Sequence, residues 1–239
     1  MAIAARKVEE AGDKRERLLA AALDLFEARG FDAVAVPEIA LKAGVATGTV
    51  YRYFATKEAL VNALYRQWKQ AYNDAVLAPV ADGATPREIF ATYWRRMMAF
   101  TRANPRAIRF LELHHHAPYL DAQSRAEGQR YAKAARDFVS AARAACAIRE
   151  LEPALVVALT WGAAAGLLKF EQSGALRLDE QTATQMEEAL WRAIANPLST
   201  QTEDEKGQSH GTQTQGRGAD GAGHGLKHGY RTRSGRMLR

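Results

Sequence analysis

The stretch Ile39–Leu60, IALKAGVATGTVYRYFATKEAL, decides the fold. It reads as two short helices meeting at a tight turn. Pro37 suits the first turn of a helix that carries Ile39, Ala40 and Ala43 up to Gly44. A second helix starts after Val45 and carries Val50 and Phe54. The small residues Ala40, Ala43 and Gly44 let such helices cross closely. The glycine supplies left-handed backbone between them, and Val45 plugs the small core beneath the turn. The pattern predicts a helix-turn-helix. Its second helix presents Thr47, Gly48 and Thr49 at its N-terminal end, where short side chains and backbone N–H groups reach base edges and phosphates in a major groove. Tyr51 and Tyr53 carry hydroxyls suited to phosphate oxygens, and Lys57 opens the next helix with a charge for the same purpose.

Outward from this segment the chain continues to read as helix. Leu18, Leu19, Ala22, Leu25 and Phe26 recur at spacings of three and four, and Gly30 is a natural C-cap for that helix. From Lys57 a long amphipathic helix runs through Leu60, Leu64 and Trp68 towards Leu77, followed by a loop at Ala81–Thr85. Ile89, Phe90, Tyr93, Trp94 and Met97 mark a further helix, as do Tyr131, Ala135, Phe138, Ala142 and Ala145. Pro105, Pro118 and Pro153 predict starts or breaks. No segment alternates with period two long enough for a strand, so the fold class is all-α. Residues 1–12 read as a flexible N-terminal arm. Residues 198–239 are rich in Gly, Gln and Ser with almost no large apolar side chains, which predicts a disordered basic tail. Its Arg231, Arg233, Arg236 and Arg239 are more simply solvated than DNA-bound.

Bulk properties narrow the class further. An apolar fraction of 47% with 25% charged residues, in 239 residues, excludes a chain that is disordered throughout. The longest apolar run, Ala154–Leu168, falls short of the roughly 18 residues of a membrane span. The N-terminus becomes charged before a signal peptide can form, so a cytoplasmic protein without a membrane partner is expected. A single cysteine, Cys146, leaves no internal disulfide. The net charge of +6 invites a nucleic-acid reading, yet residues 1–60 hold nine Lys or Arg against nine Asp or Glu. The helix-turn-helix, and not the charge, must therefore carry that reading.

The motif resembles the DNA-binding domain of the TetR family of transcription regulators. The likeness covers roughly residues 15–62, RLLAAALDLFEARGFD followed by IALKAGVATGTVYRYFATKEAL. Ala43-Gly44-Val45, Gly48-Thr49, Tyr51, Tyr53-Phe54 and Lys57-Glu58-Ala59-Leu60 all keep the family spacing. The resemblance implies that Thr47, Gly48, Thr49, Tyr51, Tyr53 and Lys57 contact operator DNA, with Arg52 at a variable position that either reads a base or points away. Ala35 and Ala46 depart from the family, which often has Ser or Thr there as caps and phosphate ligands. The implied architecture is an N-terminal three-helix DNA-binding domain over residues 13–60 and a C-terminal helical ligand-binding and dimerisation domain over residues 61–197. The implied function is a homodimeric, sequence-specific regulator, a repressor released from a palindromic operator by a small molecule.

Within the C-terminal body, Ala158, Gly162, Ala165 and Gly166 form a small-residue face on an apolar helix. Such a face lets another helix approach closely, within one subunit or across two; the resemblance implies that, paired with Met186, Leu190 and Ile194 of the last helix, it is the dimer interface. The expected effector pocket is lined by Tyr93, Trp94, Met97, Phe110, Tyr119, Phe138 and Trp161, a set suited to an apolar or aromatic molecule. His114, His115 and His116 are adjacent in sequence and would point about 100° apart on a helix, so no metal is assigned. No P-loop, GxSxG, HExxH or strand-linked GxGxxG is present, so neither a cofactor nor an enzymatic role is expected. The rival reading is a TetR-like helix-turn-helix that holds a protein partner or coats DNA without sequence selectivity.

Overall fold

The computed structural model describes residues 2–114 and 117–197, with the side chains of residues 2–12 and of residue 113 outside that description. The expected tail over residues 198–239, and His115 and His116, therefore lie outside the described residues. Within them the chain forms helices and no strand, as an all-α fold requires. In order these are α1 (Ala2–Arg29), α2 (Val36–Ala43), α3 (Thr47–Tyr53), α4 (Lys57–Val76), α5 (Pro86–Ala103), α6 (Pro105–His114), α7 (Ala122–Ala144), α8 (Pro153–Gln172) and α9 (Glu180–Ile194). The backbone of residues 2–12 continues α1, so the segment expected as an arm takes helical form. Its Ala, Glu, Lys and Arg residues are good helix formers even without an apolar stripe.

Local chemistry explains the boundaries. Gly30 ends α1 at φ 75° with its N–H on the Phe26 carbonyl at 2.8 Å. α4 starts on Thr56, whose hydroxyl accepts from the Ala59 N–H at 3.1 Å. Thr85 and Glu88 close a reciprocal capping box at the start of α5, immediately before Pro86. Asp121 and Asp179 cap α7 and α9 through the amides of Ser124 at 2.7 Å and Thr182 at 2.9 Å. Pro105 and Pro153 begin α6 and α8, where a missing N–H costs no hydrogen bond, while Pro118 sits in the turn between α6 and α7.

Two apolar cores organise these helices. The first joins Leu18, Leu19, Ala22 and Phe26 of α1 to Ile39 and Ala40 of α2, Val50 of α3 and Leu60, Val61 and Leu64 of α4. It is completed from outside the three-helix unit by Phe110 and Leu111 of α6 and by Leu120. The second core gathers Tyr72 and Val76 at the far end of α4 with Phe90, Trp94 and Met98 of α5, Val139 of α7, Leu167 of α8 and Leu190 of α9. Burying each such large side chain contributes about 1.5–3 kcal/mol. α4 thus serves both cores, its N-terminal half in the first and its C-terminal half in the second. Ion pairs of Arg106 with Asp24 at 2.6 Å and of Arg109 with Glu27 at 2.5 Å hold α6 against α1.

Candidate nucleic-acid interface and effector cavity

The turn between α2 and α3 is set by Gly44 at φ 67°, ψ 38°. Its N–H reaches the Leu41 carbonyl at 3.1 Å, and the Val45 N–H reaches that of Ala40 at 3.0 Å. This left-handed C-cap satisfies the last carbonyls of α2 and turns the chain directly into α3. Ala40 and Ala43 are buried at the crossing, and Val45 packs half-buried against the first core.

Neither Ala35 nor Ala46 offers a side-chain cap. At α2 the loss is offset by Glu38, which accepts from the Ala35 N–H at 3.0 Å and from both terminal nitrogens of the Arg29 guanidinium at 2.7 and 3.0 Å. Those hydrogen bonds from Arg29, with that of the Ala35 amide, hold the Glu38 carboxyl down at about 2. At Ala46 no side chain takes that place.

α3 is anchored inward by Val50, its one buried residue, and Phe54 follows into the core. Gly48, Tyr51 and Arg52 are exposed, while Thr47, Thr49 and Tyr53 are half-buried. A Cβ added at Gly48 would meet nothing within 4 Å, so the protein's own packing does not demand glycine there. Lys57 lies half-buried at the start of α4 with its ammonium 4.1 Å from the centre of the Phe31 ring, which stacks on Tyr119 at 4.1 Å. The seven residues expected to meet DNA therefore lie on one short helix and the start of the next.

The residues expected to line a pocket divide three ways. Tyr93, Trp94, Met97 and Phe138 border a slot of about 40 Å³ in the second core. Trp94 there is fixed by its indole N–H on the Ala183 carbonyl at 2.7 Å. Phe110 and Tyr119 belong instead to the first core: α6 packs against α1 and carries Phe110 there, and Tyr119, in the turn after α6, stacks on Phe31. Trp161 lines a different and larger cavity of about 720 Å³, bounded by α4, α6, α7 and α8. Its other walls include Tyr65, Lys69, Leu120, Tyr131 and Val157. A Cβ at Gly128 would stand 3.1 Å from the Tyr65 hydroxyl, so glycine lets α7 approach α4 here.

Sequence periodicity missed the polar residues on the inward face of α4. Asn62 donates to the carbonyls of Glu58 and Tyr119, both at 2.8 Å, and accepts from the Asp121 N–H at 2.8 Å. Arg66 pairs with Asp121 at 2.7 Å, and Asn73 donates to the Glu127 carbonyl at 2.9 Å. Lys69 is buried between them. The available signal was four polar side chains, Asn62, Arg66, Lys69 and Asn73, inside an otherwise apolar stripe.

The expected dimer face requires a correction. Leu190 and Ile194 are buried in the second core of their own chain, and Met186 packs against it, because the apolar side of α9 is consumed by α5 and α8. Leu190 and Ile194 leave little surface for a partner, while Met186 stays half-exposed. On α8, Ala158 and Gly162 are exposed and Ala165 and Gly166 half-buried, and the same side shows Leu155, Leu159 and Phe170 at 53, 42 and 58% exposure.

Fold and turn define an all-helical protein with an N-terminal helix-turn-helix. Residues 18–64 match the model of bacterial regulatory proteins of the tetR family, and residues 65–196 match a tetracyclin repressor-like C-terminal domain. The chain belongs to the TetR family of bacterial regulatory proteins.

An uncharacterised HTH-type transcriptional regulator of Mycobacterium tuberculosis is 32% identical over 103 residues, 43% of this chain and 50% of the relative. The HTH-type transcriptional repressor KstR of Rhodococcus jostii is 42% identical over 59 residues, covering 24% of this chain and 28% of KstR. The regulator BetI of Rhizobium meliloti is 35% identical over 97 residues, 41% of this chain and 44% of BetI. The chain thus spans half or less of the length of these curated relatives. A TetR family regulator from Marinobacter aquaeolei VT8 superposes with a TM-score of 0.70 at 21% identity, over 80% of this chain and 99% of that one, a likeness of fold.

Proposed function

We propose that this protein is a dimeric transcriptional repressor that binds a palindromic operator through α3 and releases it when a small molecule enters the cavity beside α4. The observation that carries this reading is the disposition of α3: Val50 holds it to the core, and the side chains of the remaining turns, with the open position at Gly48, are left for an outside surface. A helix so presented inserts its N-terminal residues into a major groove, with Thr47 and Thr49 at base edges and Tyr51, Tyr53 and Lys57 on phosphates. The exposure of Arg52 supports a base contact there. The family membership supports regulation of transcription, and KstR, among the relatives, is named a repressor. Acting on DNA places the protein in the bacterial cytoplasm.

The face of α8 supports the homodimer. By length and composition α8 is, among the described helices, the one apolar enough to cross a membrane, and only 28% of that stretch is buried, which leaves most of it uncovered in the single chain. In a DNA-binding protein such an uncovered face fits a second copy, which pairs Leu155, Leu159, Gly162, Gly166 and Phe170 with themselves across a two-fold axis. Two-fold symmetry presents two α3 helices to half-sites about one helical turn apart. Release follows from linkage. α4 lies in both cores and lines the larger cavity, so a ligand that favours one setting of α4 shifts α3 by the same differential affinity.

The test is selection of bound DNA at controlled salt, followed by titration of the enriched site. Enrichment of a palindrome bound by two chains supports the proposal. Salt-sensitive binding with no enriched sequence overturns it in favour of nonspecific coating.

A further inference from the structure

The larger cavity contains a charge that DNA binding does not use. Lys69, in the middle of α4, is 3% exposed and lines the cavity wall. Its ammonium lies 5.2 Å from the centres of both the Tyr72 and Trp161 rings. Among the described residues no ion pair within 4 Å reaches it; the carboxylates of Glu112 and Glu127 act on it from farther away. Glu127 is itself held by Asn73 at 2.8 Å and Arg130 at 2.7 Å. Burial draws Lys69 down from 10.5 to about 8, against the pull of those two carboxylates, so it remains cationic at neutral pH.

A buried cation without a close counter-charge is costly, and ring faces offset that cost only in part. The space beside it is about 720 Å³, and its walls are chiefly apolar: Leu120, Tyr131, Val157, Ala158 and Trp161. Arg125 adds a second positive charge to the lining against the single negative charge of Glu112. Burial holds the Tyr65 phenol at about 12, so its hydroxyl keeps its proton and can donate.

We propose that this cavity binds an organic carboxylate with an aromatic or branched hydrocarbon body, its anionic end paired with the Lys69 ammonium. The carboxylate supplies the counter-charge that the fold withholds, and the ring walls cover the body. The identification of this anion as the effector rests on the reading of the cavity as the regulatory site. Because Lys69 stands on α4, the pairing acts on the helix shared by both cores.

The test uses the full chain without DNA. Calorimetric titration compares 2-naphthoate and 4-phenylbutyrate with their neutral primary amides, which keep the same bodies. At least one acid is expected to bind about tenfold or more tightly than its amide, the scale of one charge-assisted contact. Lys69→Met should abolish that preference without lowering the melting temperature, because it removes a costly buried charge, and Lys69→Arg should retain it. Acids binding no better than amides, failure of both acids to bind, or a preference that survives Lys69→Met overturns the proposal; the acid and amide comparison on the unaltered chain stands even if a variant fails to fold. Operator release is measured separately. Acid that binds through Lys69 but leaves the operator bound refutes the inducer reading and not the anion site.

Discussion

Replacing Gly48 with alanine separates what α3 does for the fold from what it does for DNA. Gly48 is the second residue of α3, outside the left-handed region, and an added methyl meets no atom within 4 Å. The substitution therefore brings no clash within the chain. It removes backbone freedom from the unfolded state and improves helix propensity, together about 0.4–1 kcal/mol of stabilisation. In a domain of this size that raises Tm by roughly 1–4 °C, read by circular dichroism. Operator affinity, titrated by fluorescence anisotropy, should move the other way by about tenfold or more, because in the proposed docking the methyl stands where backbone approaches the duplex; tenfold is about 1.4 kcal/mol. A variant that melts higher and binds the operator as before would refute the docking of α3 by its N-terminal turn. A variant that melts lower would refute the open space at Gly48.

Lys57→Ala should weaken binding evenly across operator variants and lower the salt slope by about one, while loss of the contact with Phe31 costs about 0.5–1 kcal/mol of stability; an unchanged slope in a salt titration removes Lys57 from the phosphate contacts. Leu159→Glu should shift the chain to monomer in sedimentation velocity and with it abolish binding to a two-half-site operator, whereas a persistent dimer would place the interface off this face of α8. Burial holds His114 down at about 4, so it is neutral in the fold, while the unfolded chain takes up a proton near 6.5. The unfolded state then binds more protons between those values, and the stability contributed by neutral His114 is present above pH 6.5 and lost as pH falls towards 4. Melting curves from pH 7 to pH 5 should fall more steeply for the unaltered chain than for His114→Gln, and parallel profiles would show that the fold does not lower the His114 pKa.

The helix-turn-helix was legible because its determinants are local. Gly44, the small residues before it and the buried Ile39, Ala40, Val50 and Leu60 act over about twenty positions, within reach of periodicity and turn chemistry. The missing cap at Ala35 was legible too, but its replacement by Glu38 and Arg29 was not, since Arg29 arrives from the end of another helix.

The cavity was not legible for a different reason. Tyr93, Trp94, Met97 and Phe138 carry the same apolar signal whether they face a void or one another, and here they close around a small slot. α9 presents the same ambiguity: an amphipathic stripe through Leu190 and Ile194 reads alike whether its partner is the same chain or a second copy, and packing by α5 and α8 decided for the same chain. Lys69 stood in the sequence as one polar residue on an apolar stripe, where a solvated exception and a buried charge look identical. The sequence alone determined the helices, the turn and the surface of α3, because these follow from hydrogen bonds and side chains a few residues apart. Tertiary structure alone decided where charge is buried and where space is left, because α4, α6, α7 and α8 meet around Lys69 only after residues far apart in the chain have packed.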